Sequence, residues 1–349
     1  MRVAAIDCGT NSIRLLIADI DGDNFHEVVR EMEVVRLGQG VDSKKSFHPD
    51  AIERTLEAVR KYAEIIATNG VERIRFCATS ATRDASNRAL FIDGVREILG
   101  VDVEVIPGTE EAALSFMGAT KVLKGAQAPY LVVDIGGGST EFVLGTESVV
   151  AAKSVNIGCV RMSERHLKTT PAGARAVAKA VEDIDEAIAD AAKTVKIKEA
   201  KTLIAVAGTA TTVAAAALGL TEYDRHAIHL AHIPAQKVHE IAQRFSLMSR
   251  DEIAALGYMH PGRVDVIAAG SLILSRVLIA TGATEFVASE SDILDGIAWR
   301  LSEPIPEVIE EIKEEVSEET VAAEVEIVES IDEGAEDVFD EMTQEIDED

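Results

Sequence analysis

Cysteine is scarce in this chain. Its 349 residues hold three, Cys8, Cys77 and Cys159, far apart and without metal-ligand partners. That argues against a disulfide framework and a zinc site, and it suits a reducing compartment. Positive charge is scarce too, with 34 Lys and Arg against 61 Asp and Glu; a nucleic-acid binder more often shows a basic face. Long, strongly apolar runs are missing. Residues 203–220 carry no charge, but Gly208 and Thr209 interrupt them and four consecutive alanines (214–217) dilute them. Residues 266–280 are shorter still and contain Arg276. Neither run supplies the roughly 20 strongly apolar residues of a membrane span. Asp7 breaks the first apolar run, so no secretory signal is expected there. The expectation is a soluble cytoplasmic protein with neither nucleic acid nor membrane as partner.

The acidity is unevenly spread. Residues 303–349 hold 21 Asp and Glu against one Lys, whereas the other 302 residues hold 40 acids and 33 bases. The tail is therefore expected to be largely disordered, with at most a frayed helix around residues 305–316, because its charge prevents burial of enough apolar surface to offset chain entropy. The preceding 302 residues, in a chain that is 47% hydrophobic, can form a substantial core.

Two short stretches of that core-forming part say nearly the same thing. Asp7-Cys8-Gly9-Thr10-Asn11-Ser12 follows the apolar run at 3–6, and Asp134-Ile135-Gly136-Gly137-Gly138-Ser139-Thr140 follows the apolar run at 130–133. Both read as strand, tight turn, strand, with an aspartate where the first strand ends. Gly/Ser/Thr turns expose successive backbone N–H groups and hydroxyls that can wrap an anion, and the aspartate beside each can hold the Mg²⁺ that accompanies phosphate. A single such turn is often only a hairpin. The pair reads as a phosphate clamp.

Between and after the turns, strands and helices alternate. Strands are expected at 25–37 (two of them), 73–78, 101–106, 203–206 and 285–288. Helices are expected at about 49–68, 84–99, from 110, and near 158–168, 171–197, 234–247 and 263–281. Alternation with a duplicated start implies two related α/β layers, residues 1–123 and 124–302, with a cleft between them. The last helix before the tail is expected to pack back on the first layer.

Four segments, in order, carry a resemblance: the first turn at residues 7–12; Ala78-Thr79-Ser80-Ala81-Thr82-Arg83-Asp84-Ala85; Pro107-Gly108-Thr109-Glu110-Glu111-Ala112; and the second turn extended to Glu141. Together they resemble the exopolyphosphatase/guanosine pentaphosphate phosphohydrolase (Ppx/GppA) family of the actin-like ATPase superfamily. The resemblance implies two actin-like (ribonuclease H-like) domains around a phosphate-binding cleft, with the acidic tail in place of the extra C-terminal domains of many members. No His-Asp dipeptide of those domains occurs, and an arginine common before Gly296 is here Asp295. His226, His229 and His232 form the closest histidine group, without the pattern of a metal site.

The implied activity is hydrolysis of terminal phosphate from inorganic polyphosphate. The alternative within the family is removal of the 5′ phosphate of guanosine pentaphosphate; outside it stand an actin-like kinase or ATPase and a non-enzymatic polyphosphate or nucleotide sensor. Glu111, near a helix start, matches the family's catalytic glutamate, while Glu110 points about 100° away around the helix. Arg83 matches a phosphate-binding arginine, its planar fork suiting two phosphate oxygens. Thr10, Asn11, Ser12, Gly136, Gly137, Gly138, Ser139, Thr140, Gly208 and Thr209 are the other candidate phosphate ligands. Asp7, Asp134 and Glu141 are the candidate ligands for Mg²⁺ (or Mn²⁺), and a homodimer is one expected assembly.

Overall fold

The computed structural model describes residues 1–303. The acidic segment 304–349, expected to be disordered, lies outside the described residues. The described chain begins with β1 (Arg2–Cys8), β2 (Ser12–Asp21) and β3 (Asn24–Val34), followed by α1 (Val41–Lys44), α2 (Pro49–Thr68) and β4 (Arg73–Ala78). Next come α3 (Ser80–Asp84), α4 (Arg88–Leu99), β5 (Val103–Val105) and α5 (Gly108–Thr120). The second half runs β6 (Tyr130–Ile135), β7 (Thr140–Gly145), β8 (Val149–Val155), α6 (Cys159–Arg165), α7 (Ala174–Thr194), β9 (Thr202–Val206) and α8 (Ala207–Leu218). It continues with α9 (Arg225–Ile228), β10 (His232–Pro234), α10 (Ala235–Leu247), α11 (Arg250–Ala254), α12 (Ile267–Thr281), β11 (Glu285–Ala288) and α13 (Ile293–Ser302).

The two sheets repeat one plan. The first has strand order β3-β2-β1-β4-β5 and the second β10-β11-β9-β6-β7-β8. In each, an antiparallel three-strand meander (β1–β3; β6–β8) is joined along its first strand by a parallel strand, β4 or β9. The duplicated turns are the first hairpin of each meander. Alternate residues of β1 serve two cores: Ala4, Ile6 and Cys8 face α2 and α4, while Val3 and Ala5 face α13.

Helix ends follow local chemistry. At the start of α2, His48 Nδ1 accepts the Asp50 N–H at 3.2 Å and Pro49 opens the helix, which needs no N–H there. Gly70, at φ 62°, turns the chain beyond it. The buried stripe of α2 runs through Leu56, Val59, Tyr62 and Ile66. The helix expected at 84–99 begins only at Arg88, because Asp84 instead ends the short α3, where Ala85 turns extended (φ −85°, ψ 123°). Residues 25–34 form one long strand rather than part of two, the hairpin with β2 absorbing a bulge at Ile17/Ala18. Among the described residues, no helix is long and apolar enough to cross a membrane.

Helix α5 touches both halves. Ala112, Phe116 and Ala119, at i, i+4 and i+7, pack on Val132 and Val143 of the second sheet. Leu114, on another face, joins Val3, Leu16, Leu294 and Ile297. Thus α13, late in sequence, covers the first sheet, and Lys121 of the turn after α5 lies 4.1 Å over the Trp299 ring. The two helices meet at glycines. A Cβ on Gly118 would fall on the Asp292 carbonyl, and one on Gly296 on the Leu114 carbonyl. Backbone, unlike a flexible side-chain end, cannot swing aside. Gly296→Ala should therefore destabilise the protein by about 1–3 kcal/mol, the range for overpacking, measurable as a lowered denaturation midpoint; an unchanged midpoint would mean the crossing is looser than described.

Candidate active site

The two hairpin turns are built alike. Gly9 N–H donates to Ser12 O at 3.0 Å, and Gly136 N–H donates to Ser139 O at 3.1 Å. Behind each turn the carbonyls are tied off. Thr10 O accepts from Gly38 N, and Asn11 O from both Val35 N and Arg36 N. In the second turn Gly136 O accepts from Cys159 N and Gly137 O from Val160 N and Arg161 N, all at the start of α6. Among the described residues no acceptor takes the amides of Thr10, Asn11, Gly137, Gly138 or Ser139. A turn whose carbonyls point away and whose amides are unspent is an anion-binding concavity.

The turns face one another. A Cβ on Gly137 would lie 2.9 Å from Thr10 Cβ, and one on Gly138 2.6 Å from Ser80 Oγ and 2.7 Å from Thr10 Oγ1. The glycines are needed for this approach rather than for unusual backbone angles. One cavity of about 110 Å³ is lined by Asp7, Thr10, Asn11 and Ser12, by Asp134 and residues 136–139, by Gly208 and Thr209, and by Glu111. Thr10 Oγ1 is buried without a partner, a polar atom that a bound phosphate oxygen would satisfy. Ala207 begins α8 at φ 66°, a strained conformation for a residue with a Cβ, in the wall of this cavity.

Three candidates lie outside the lining. Thr140 spends its hydroxyl on Ile157 O at 2.5 Å and is fully buried, so its side chain faces the core and not an anion. Arg83 donates to Glu111 Oε2 at 2.7 Å and to Ile106 O at 2.9 Å. It does not pair with Asp84, and its direct effect is to fix the glutamate. Glu141 is fully buried behind the turn, where Ser154 donates to Oε1 at 2.7 Å and Oε2 has no partner.

Glu110 and Glu111 separate cleanly. The Glu111 side chain is 11% exposed and held by Arg83; that of Glu110 is 40% exposed and pairs with Arg75. Burial raises the Glu111 carboxyl above the ordinary range, opposed by the Arg83 charge. A carboxylate so placed is a stronger base than one in water.

The repeat offset of 127 also aligns Arg14 with Glu141. In the first hairpin Asp7 pairs with Arg14 and in the second Asp134 pairs with Glu141, each on one sheet face. Arg14 donates to Asp7 Oδ2 at 2.6 and 3.0 Å and also pairs with Asp292. Asp7, raised by burial, is thus offset by a fixed cation. Asp134 is in no such ion pair among the described residues, and the Arg14 charge opposes its shift only weakly. Burial, and next the Asp292 charge, push its carboxyl up to about 7, while a 2.5 Å bond from Ser115 opposes them. Glu141 is pushed well above the carboxylate range by burial and by Glu111 and Asp134. The aspartate of the second turn therefore lacks the ion pair that the aspartate of the first turn has.

Hard oxygen donors short of positive charge fit Mg²⁺. Among the described residues no three His, Cys, Asp or Glu side chains lie close enough to hold one ion by themselves. The fit is to an ion held by Asp134, with Glu141 behind it, and otherwise by water or substrate oxygens; Asp7 is committed to Arg14. Sequence reasoning missed Arg14, Asp292 and the α6 amides. Arg14 was findable from the hairpin register, seven residues after Asp7. In the segment from Ser289 into the first turn of α13, Asp295 pairs with Arg30 at 2.7 Å and Asp292 reaches Arg14.

Three comparisons with known proteins show what the chain is similar to. The Ppx/GppA phosphatase family matches residues 16–299. Exopolyphosphatase 2 of Mycobacterium tuberculosis is 48% identical over 314 residues, spanning 86% of this chain and 98% of that protein. The crystal structure of an exopolyphosphatase-like protein superposes with a TM-score of 0.83 at 46% identity, over 86% of this chain and 98% of that one. A guanosine-5′-triphosphate,3′-diphosphate pyrophosphatase of Vibrio atlanticus is 37% identical over 167 residues, 47% of this chain and 33% of that protein.

The Asp134 shift has a testable sign. A carboxyl raised from 3.8 to about 7 on folding favours the folded state while protonated, and that stability is lost as pH rises through 7. Without divalent cations, Asp134→Asn should raise the melting temperature more at pH 8 than at pH 5. An equal gain at both pH values, or a loss at pH 8, would contradict the assignment.

Proposed function

The chain belongs to the Ppx/GppA phosphatase family, and from that footing we propose that it is an exopolyphosphatase, a phosphoanhydride hydrolase that releases terminal phosphate from inorganic polyphosphate. The observation that carries the reading is the pair of facing turns with unspent amides, closed on one side by a buried glutamate. A linear chain of phosphates fits two anion loops set opposite one another, since each loop takes the oxygens of a different phosphate. Two domains, divided between α5 and β6, with α13 added to the first, form the walls of the cleft.

In this reading the amides of Thr10, Asn11, Gly137, Gly138 and Ser139, with the hydroxyls of Thr10 and Ser12, hold the terminal phosphates. Glu111 accepts a proton from the attacking water, and Arg83 fixes its carboxylate and limits how far burial neutralises it. Arg14 and Arg263, both lining the cavity, supply fixed positive charge for the oxygens that gain charge as the anhydride breaks. Gly208 leaves room for the Arg263 guanidinium, whose atoms lie 2.6–2.7 Å from where a Cβ would stand. Mg²⁺ held at Asp134 supplies further charge neutralisation when bound.

The experiment is phosphate release from long-chain polyphosphate, guanosine pentaphosphate and ATP, measured side by side with Mg²⁺. Polyphosphate should be hydrolysed with the highest kcat/KM; preference for the nucleotide would shift the reading to the guanosine pentaphosphate activity, and transfer from ATP to an acceptor would replace it with a kinase. Within the same assay, Glu111→Gln should lower kcat by about 10²–10⁴-fold, the usual contribution of a general base, with KM little changed. Glu110→Gln should cost far less. Equal losses from the two substitutions would remove Glu111 from its role.

A further inference from the structure

The second turn leaves one carbonyl that α6 backbone does not reach, that of Gly138. It accepts instead from Arg161 Nε at 2.6 Å. The same guanidinium donates from Nη1 to Asp42 and from Nη2 to Asp84 Oδ2 at 2.6 Å. Arg161 is only 6% exposed. Asp42 lies on α1 and Asp84 ends α3, both in the first half of the chain, whereas Arg161 and Gly138 are in the second. Neighbouring contacts run the same way: Gly40 N–H donates to Glu164 Oε1 at 3.0 Å, and Arg165 donates to Asp42 at 3.3 Å.

From this we infer that Arg161 is a positioning residue: it turns the Gly138 carbonyl away from the cleft only while its guanidinium is seated on Asp42 and Asp84, so that the second turn presents its amides to phosphate when the two halves are closed on each other. The inference rests on reading that turn as a phosphate loop. A planar fork makes this possible, because its Nε and two terminal nitrogens point in fixed, different directions. Separating the halves leaves a buried arginine without its two carboxylates, free to reorient toward water, and the Gly138 carbonyl loses its donor. A peptide unit free to rotate carries the next amide, that of Ser139, with it. Closure and loop polarity are thereby one event, and the loop in an open molecule is a poorer anion site.

Lysine at 161 keeps the charge, but its three donors share one nitrogen and cannot span the Gly138 carbonyl, Asp42 and Asp84 as the three guanidinium nitrogens do. The test uses the full chain with Glu111→Gln, so that ligand is not consumed, and tripolyphosphate as the probe in isothermal titration, well below the melting temperature of every variant. Adding Arg161→Lys should weaken tripolyphosphate binding at least about tenfold per folded molecule. Adding Asp42→Asn and Asp84→Asn instead, which leaves Arg161 and Gly138 in place, should enlarge the radius of gyration of the ligand-free protein in small-angle scattering, and saturating tripolyphosphate should restore the compact value. Binding by the Arg161→Lys protein within about twofold of its parent, even with a lowered melting temperature, would reduce Arg161 to a purely structural role and overturn the inference. So would an unchanged radius in the aspartate variant. Polyphosphate turnover by the unaltered enzyme is read separately: turnover with tight Arg161→Lys binding keeps the function and loses this inference, whereas a parent that neither binds nor hydrolyses loses both.

Discussion

The arrangement depends on where peptide dipoles point. An anion loop works only if its carbonyls are held elsewhere, since each carbonyl oxygen aimed into the cleft would repel phosphate as strongly as an amide attracts it. Both turns meet this requirement by the same means. One N–H to O bond closes the hairpin, and neighbouring amides take up the carbonyls from behind, from residues 35, 36 and 38 in the first case and residues 159–161 in the second. Both supporting segments follow the third strand of their meander, β3 in the first half and β8 in the second, so the two halves reach one electrostatic result from equivalent places in the repeated plan with different residues. Gly158 shows how close the support comes: a Cβ there would fall on the Gly137 carbonyl.

On this shared frame the two halves carry opposite charge logic. Arg14 neutralises Asp7 within the protein, and Glu141, at the equivalent position, adds charge beside Asp134 instead. A duplicated motif that becomes asymmetric in this way assigns different work to its copies. The first turn holds its aspartate in an ion pair with Arg14, and the second carries buried acids without one. Glu111 lies in the first turn of the helix that contacts both sheets, so its position is set by both halves at once.

Much of this was legible in the sequence because it is local. The paired Asp-x-Gly turns, the helix over about 49–68, and the contrast between Glu110 and Glu111 all follow from spacing within a few residues. The break between α3 and α4 was not legible, since no glycine or proline marks Ala85. Thr140 and Glu141 were grouped with the turn by motif, but strand alternation and packing turned the first into the core and buried the second behind the turn. Arg83 was read as a free phosphate ligand because its partner, Glu111, lies 28 residues away. The bonds from Arg161 to Asp84 and Asp42 span 77 and 119 residues. Periodicity and composition are silent on such pairs, which exist only once the chain has folded.

The central claim is that both turns hold phosphate through backbone amides. It is tested most directly by a crystal structure of the Glu111→Gln protein with bound tripolyphosphate and Mg²⁺. The account predicts phosphate oxygens within hydrogen-bond distance of amides in both turns, among them those of Thr10 or Asn11 and of Gly137, Gly138 or Ser139. Tripolyphosphate held by side chains alone, by one turn only, or outside the cavity would contradict it.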